Sequence, residues 1–294
     1  MNFRSLRIED YSLFKGFSPK NELSCENLFL NVFMWHDIYN YQLALYDNDT
    51  LVMRFFDGKK PIYYLPMGKN FFEATDWIFS NDTDAVFFAS EGERFDRLVA
   101  KYGEKLEIVP IEENFEYIYN SSDLSVLPGK KFHQKRNHIS AFSRKYNWRF
   151  EGLNDDNIAD ILEVTEKWVN ERGNIYDREL DCEIKAIKNI VQVYKQLKVV
   201  GGILYVNETP IAFTFGCELN SETFDVTTEK ALVMYQGAYA VINNEFAKTC
   251  LYPKYKYINR EDDLGIEGLR RAKLSYHPEI ILKKYMIKLK KENL

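Results

Sequence analysis

The chain has 294 residues, 46% of them hydrophobic and 28% charged, with a formal charge of −5, the profile of a soluble globular protein with room for one large or two medium domains. Net acidity gives no global pull toward nucleic acid, no uninterrupted apolar run reaches the ~18 residues of a spanning helix, and the opening MNFRSLRIEDYSLF lacks a secretory leader; a cytoplasmic protein is expected. The cysteines Cys25, Cys182, Cys217 and Cys250 are far apart and are expected to be reduced and buried, with neither a metal nor a disulfide.

In chain order, Ser24 to Tyr39 has helical spacing, with Leu28, Val32, Trp35 and Tyr39 on one face. Three strand runs follow, YQLALYD, TLVMRFF and PIYYLPM, the first two separated by an Asn48-Asp49 turn. Next come a helix around Phe72 to Phe79, the strand AVFFA, a helix around Arg94 to Tyr102 and the strand LEIVPI. From Lys130 to Arg149 there are seven lysines and arginines and no acidic residue, on a helix whose apolar stripe is Phe132, Ile139, Phe142 and Tyr146. After the strand WRFEGL, Asn154 or Asp155 caps a helix with its stripe at Ile158, Ile161, Leu162, Thr165, Trp168 and Val169, stopped by Gly173. A further helix follows Asp181, with Ile184, Ile187, Ile190, Val191, Tyr194 and Leu197 inward.

Three strand runs then recur, GGILYV, PIAFTFGCEL and TFDVTTE, followed by a helix in Tyr235 to Lys248, the strand YKYIN, the helix GIEGLRRAKL and one last strand, IILKKYMIKL. Both halves therefore read strands, helix, strand, helix, strand. That order points to a duplicated α/β (α+β) domain, divided as residues 1–125 and 126–294, each half a mixed, twisted sheet covered by helices. On TFDVTTEK the alternation puts Asp225, Thr227 and Glu229 on one face. The loop Lys230 to Gln236 then leads through Gly237, Ala238 and Tyr239 into a helix whose first turn carries no acid. Such a helix start can hold an anion, or the loop can simply cap a core helix; both readings stay open. For the basic helix the alternatives are a solvated face and a phosphate contact through Lys135 and Arg136, serving a tRNA, a nucleotide donor or an anionic head group. His133 and His138 do not share a face, so no metal pair is expected there.

The order of elements resembles the GCN5-related N-acetyltransferase (GNAT) fold, in tandem. Two longer strings, LPGKKFHQKRNHISAF (Leu127 to Phe142) and YINREDDLGIEGLRRAKLSYHP (Tyr257 to Pro278), resemble the bacterial phosphatidylglycerol lysyltransferase C-terminal-like family, a tandem GNAT group related to the Fem aminoacyltransferases. The resemblance implies an acyl- or aminoacyltransferase scaffold. Acyl-CoA or aminoacyl-tRNA would be the donor, and an amine or hydroxyl group, on a small molecule or a lipid headgroup, the acceptor. The lysyltransferases proper carry a many-helix membrane portion, which this chain is expected to lack.

The fold implies a cleft where the strand Thr223 to Glu229 splays from the strand Tyr255 to Asn259, with the helix N-terminus facing the donor. Gln236, Gly237, Ala238 and Tyr239 would line the donor loop, although Ala238, Ala240 and one glycine fit the coenzyme A pattern only loosely. Acyl transfer to an amine needs a base, donors for the oxyanion and an acid. The expected base is Asp225 or Glu229. Asn259, Arg260, Glu261 and Asp262 are expected at the strand-to-helix junction, and by resemblance Tyr276 would be the acid, or else a packing residue. A non-catalytic ligand-binding module on the same scaffold is the competing expectation.

Overall fold

The computed structural model describes residues 1–171 and 178–291; the expected helix stop at Gly173 lies outside them. The chain divides into two units, one formed by residues 1–116, 262–269 and 281–294 and the other by residues 117–261 and 270–280, where the sequence suggested a single cut at 125/126. The first unit begins with β1 (Arg4–Ser5), α1 (Tyr11–Phe17) and α2 (Phe29–Met34). It continues through β2 (Gln42–Tyr46), β3 (Thr50–Asp57), β4 (Lys60–Tyr64), β5 (Met67–Gly68), α3 (Phe71–Asn81), β6 (Val86–Ser90), α4 (Glu93–Tyr102) and β7 (Leu106–Pro110). The helix expected across Ser24 to Tyr39 is much shorter than its periodicity suggested. Leu28 and Val32 are buried, but Tyr39 is exposed beyond the helix end.

Then come β8 (Glu116–Asn120), α5 (Ser121–Val126), the basic α6 (His133–Lys145), β9 (Trp148–Gly152), α7 (Asp160–Glu171) and α8 (Arg178–Val193). The second repeat follows as β10 (Val200–Val206), β11 (Thr209–Glu218), β12 (Thr223–Ala231), α9 (Ala238–Phe246), β13 (Tyr257–Asn259), α10 (Glu267–Leu274) and β14 (Ile280–Leu282), and β15 (Lys284–Leu289) closes the series.

The first sheet has the order β1-β2-β3-β4-β6-β15-β7, with β5 paired to β3, and the second β14-β8-β13-β12-β11-β10-β9. Each sheet carries a parallel pair at the same step of its repeat, β4 with β6 and β12 with β13. The expected last strand IILKKYMIKL is two strands in two sheets. β14 ends at Leu282, and after Lys283 the chain runs as β15 between β6 and β7. Conversely β8, from the first half of the sequence, lies between β13 and β14. The repeats thus exchange one strand each.

Burial explains the patterns. β11 is buried at every position from Pro210 to Cys217, as expected of a central strand covered on both faces. α9 buries Ala238, Ala240, Val241, Ile242, Asn243 and Phe246. On α6, Phe132 just before the helix and Phe142 are buried and Ile139 is partly buried, so the apolar stripe packs inward and the cations stand elsewhere. In the first unit, Lys284 of β15 is fully buried and ion-paired to Glu26 and Glu116. Among the described residues no helix is long and apolar enough to cross a membrane.

Candidate functional site

The parallel pair β12/β13 is short. Thr223 faces Tyr257, Phe224 faces Ile258 and Asp225 faces Asn259, after which β12 runs on for six residues to Ala231. The chain leaving β13 stays with β8 instead: Arg260 N–H donates to Tyr117 O at 3.0 Å and Tyr117 N–H to Glu261 O at 3.1 Å. The two strands therefore part beyond Asp225 and Asn259. At the parting point β12 bulges, Val226 and Thr227 together facing Gly216 of β11, where a Cβ would lie 1.8 Å from Asp225 O; only glycine fits.

Arg260 and Glu229 meet in this opening. Arg260 Nη2 donates to Glu229 Oε1 at 2.8 Å, with the two side chains 13% and 8% exposed. Glu229 Oε2 accepts from Asn243 Nδ2 of α9 at 3.4 Å. The Arg260 guanidinium also lies 5.0 Å from the Tyr276 ring centre. Burial works against its charge, yet Glu229, with Tyr119 and Tyr276, raises its pKa on balance. Its backbone is fixed by Lys273, whose Nζ donates to Arg260 O at 2.5 Å, and Lys273 O accepts from Tyr119 Oη at 2.9 Å. Arg260 Nη1 and Asn243 Oδ1 are buried without a hydrogen-bond partner. Native structures rarely leave buried polar atoms so, and each is worth about 1–3 kcal/mol to whatever satisfies it.

Lys135 of α6 lies over the Tyr276 ring, its Nζ 3.8 Å from the centre and donating to Ser275 Oγ at 2.6 Å. Burial, with the Arg260 charge added, pushes Lys135 down to about 8. Burial, and the Glu229 charge against the opposing effect of Arg260, push Tyr276 up to about 12. At neutral pH the phenol therefore keeps its proton, while the amine gives its proton up far more readily than an exposed lysine. The group offers a donor without a partner, an amine that titrates near neutrality and a protonated phenol.

Of the residues singled out in the sequence, Glu229, Arg260, Tyr276 and Lys135 come together here. Asp225 does not reach the opening. It is fully buried where the strands still pair, and its Oδ2 accepts from Thr227 Oγ1 at 2.7 Å. Asn259 is buried too, its Oδ1 accepting from Glu261 N–H at 2.8 Å in a local turn that holds Glu261 at φ 54°. Asp262 is grouped with the first unit, its Oδ2 accepting from Asn114 Nδ2 at 3.2 Å. Arg136 closes the turn ahead of its helix, Nη1 donating to the carbonyls of Leu127 and, at 2.8 Å, Gly129.

The donor loop departs from expectation most. Gly237 has φ 97°, and a Cβ there would sit 3.0 Å from His138 O and 3.3 Å from Phe142 Cβ. α6 packs directly on this glycine and takes the space of its missing side chain. Ala238 is buried with its N–H bonded to Tyr235 O at 3.0 Å, whereas Gln236 and Tyr239 are exposed. Sequence reasoning missed Asn243 and Tyr119. Asn243 alone carried a signal, an amide at the end of the apolar run Ala240-Val241-Ile242.

Residues 18–288 match the family described as phosphatidylglycerol lysyltransferase, C-terminal. The chain belongs to this family. A crystal structure of a conserved protein of unknown function from Bacteroides thetaiotaomicron is 34% identical, covering 99% of this chain and 100% of that one with a TM-score of 0.92. L-PGS from Bacillus licheniformis shares the fold at 15% identity over 97% and 93% of the two chains, with a TM-score of 0.65. A tandem GNAT protein of the clavulanic acid pathway shares it at 6% identity over 98% of each, with a TM-score of 0.50. An uncharacterized protein of Mycoplasmoides gallisepticum is 26% identical over 183 residues, 60% of this chain and 57% of that protein, so the match spans little more than half of that relative's length. The member of the lysyltransferase C-terminal family described here is thus a tandem GNAT-fold protein.

Proposed function

We propose that this protein moves an aminoacyl or acyl group from an activated donor, aminoacyl-tRNA or acyl-CoA, to an amine or hydroxyl acceptor in the opening between β12 and β13. The observation that carries the proposal is the unpartnered Arg260 Nη1, buried where the two strands part and beside Glu229. In this reading Arg260 Nη1 donates to the acyl carbonyl oxygen, which gains negative charge as the acceptor attacks. Lys135 takes the acceptor's proton as the acceptor's lone pair forms the new bond to the acyl carbon. Tyr276 donates to the departing oxygen or sulfur as the old ester or thioester bond breaks. Glu229 holds the guanidinium in place, and Asn243 holds Glu229.

Aminoacyl-tRNA is the favoured donor, because packing of α6 over Gly237 leaves little of a pyrophosphate-cradling loop for coenzyme A. The same packing favours a second reading, a unit that holds an acylated ligand without turnover. A thermal-shift screen of aminoacyl-adenosine esters, acyl-CoA species and lipid headgroups tests the proposal, since a ligand of the folded state raises the melting temperature. An ester-induced shift that disappears in Arg260→Gln, with labelled aminoacyl transfer lost in the same variant, is expected. A shift that persists in Arg260→Gln removes Arg260 from the site, and a shift without turnover on any acceptor selects the binding module.

A further inference from the structure

The first unit holds a cavity of about 350 Å³ whose lining includes Phe3, Arg54, Tyr63, Trp77, Asn81 and Asp82. Arg54 of β3 and Tyr63 of β4 are direct cross-strand partners, so both side chains rise from one face of the sheet. Trp77 and Asn81, four apart on α3, and Asp82 at its end come from the helix that packs on that face. The Phe3 and Tyr63 rings meet edge to face with centres 6.2 Å apart, and the Arg54 guanidinium lies 3.9 Å from the Phe3 ring centre. Three aromatic rings thus line the space, and its volume falls at the small end of the ~300–1,000 Å³ range of small-molecule pockets.

Two opposite charges meet at one hydroxyl in this cavity. Tyr63 Oη donates to Asp82 Oδ2 at 3.2 Å, and burial raises the pKa of the same phenol while the nearby Arg54 opposes that rise. Arg54 and Asp82 nevertheless form no ion pair, with each other or with any other described residue. Arg54 Nε and Nη2 donate to the neutral Gln42 Oε1 at 2.9 and 2.7 Å, and Asp82 Oδ1 accepts from the Asp84 N–H at 3.2 Å. Lys60, which feels the Asp82 charge, is paired with Asp84 at 2.8 Å. Asp82 also stands at the C-terminal end of α3, whose last turn carries no basic residue, and the helix dipole there favours a cation. The cavity therefore offers a cation and an anion, neither of them ion-paired, beside aromatic walls.

We propose that this cavity binds a free aromatic α-amino acid, with its carboxylate on Arg54, its ammonium on Asp82 and its ring among Phe3, Tyr63 and Trp77. An α-amino acid carries both charges on a single carbon, which matches a cation and an anion that share one phenol. A nucleotide places its phosphate and the polar edge of its base at opposite ends, and would leave one of the two charges unanswered. Charge-assisted hydrogen bonds to the guanidinium and the carboxylate fix the ligand's orientation, and edge-to-face or offset ring contacts favour an aromatic side chain over an aliphatic one. Every residue of this site lies in the first unit and none takes part in the transfer chemistry of the second, so the two sites can be tested separately.

Isothermal titration calorimetry of the full chain with L-phenylalanine, phenylpropionate, phenethylamine and adenosine monophosphate tests it. L-phenylalanine is expected to bind, and phenylpropionate, which lacks the ammonium, and phenethylamine, which lacks the carboxylate, each about tenfold more weakly. Asp82→Asn should weaken L-phenylalanine about tenfold and leave phenylpropionate unchanged, whereas Arg54→Gln should weaken L-phenylalanine by about the same factor and leave phenethylamine unchanged. A merely structural loss would not produce that crossed pattern. Both side chains are only partly buried, and unchanged melting temperatures verify that the variants fold; the three phenyl ligands read the same two charges on the unaltered chain. Absence of L-phenylalanine binding, equal binding of all three phenyl ligands, equal weakening of all three by either variant, or binding of adenosine monophosphate without L-phenylalanine would each overturn the proposal.

Discussion

Replacing Gly237 by alanine tests the packing of α6 on the entrance to α9. The residue sits at φ 97°, a left-handed conformation that costs an ordinary residue about 1–2 kcal/mol. The new Cβ would also lie 3.0 Å from His138 O and 3.3 Å from Phe142 Cβ. The first is backbone and the second belongs to a fully buried side chain, so neither yields easily, and overpacking of this kind costs about 1–3 kcal/mol. The sum is roughly 2–5 kcal/mol, or about 4–20 °C in the transition of a unit of this size. Thermal melting followed by near-ultraviolet circular dichroism reads it directly. Gly268→Ala is the control: its Cβ meets nothing within 4 Å, and alanine inside α10 should stabilise by about 0.5–1 kcal/mol. A Gly237→Ala protein that melts within ~2 °C of the native one would mean that α6 does not close on the glycine, restoring the loop as a place for a ligand.

Lys284→Met leaves Glu26 and Glu116 buried without their cation and should cost about 3–5 kcal/mol in urea unfolding; a loss under about 1 kcal/mol would refute the pairing. Burial alone would raise the Glu22 carboxyl, but Arg94 holds it below its ordinary 4.5. Its contribution is therefore present above pH 4.5 and lost as pH falls through the lower folded value, so the melting gap between native and Glu22→Gln proteins should shrink on acidification. Lys135 runs the other way. Its folded pKa of about 8 lies below the ordinary 10.5, so the unfolded chain binds more protons in that window and stability from this group rises with pH above about 8. A Lys135→Met variant should lose that rise, and an unchanged profile would contradict the buried placement of the amine. Phe142→Ala, at a fully buried position against Gly237, should cost about 3–5 kcal/mol in the same unfolding assay.

Much of this architecture was legible because periodicity reports burial. The runs that became β10, β11 and β12 and the stripe of α6 at Phe132, Ile139 and Phe142 were readable from apolar spacing alone. Strand exchange was not, because IILKKYMIKL looks like one strand and nothing in it says that Lys284 is buried between carboxylates. EYIYN became β8 only through pairing with a strand 137 residues further on, Asn120 facing Tyr257, a partner that local pattern cannot announce. In the site, alternation put Asp225 and Glu229 on one face of β12, but a bulge, two residues of β12 against Gly216 of β11, turns them to opposite faces, Asp225 opposite Cys217 and Glu229 opposite Thr214. A bulge is set by pairing with the neighbouring strand, so local alternation could not say that Glu229 faces Arg260 while Asp225 is buried on the other side. The loop at Gly237 stayed open between two readings for a similar reason: the need for a glycine is local, but what packs on its vacant side is tertiary.

A crystal structure with a non-hydrolysable aminoacyl-adenosine amide tests the central claim most directly. The acyl carbonyl oxygen should lie within hydrogen-bonding distance of Arg260 Nη1, between β12 and the chain leaving β13, with Lys135 and Tyr276 flanking it. An analogue bound anywhere else, with that space closed by the protein's own side chains, would contradict the assignment of the second unit's opening as the seat of acyl transfer.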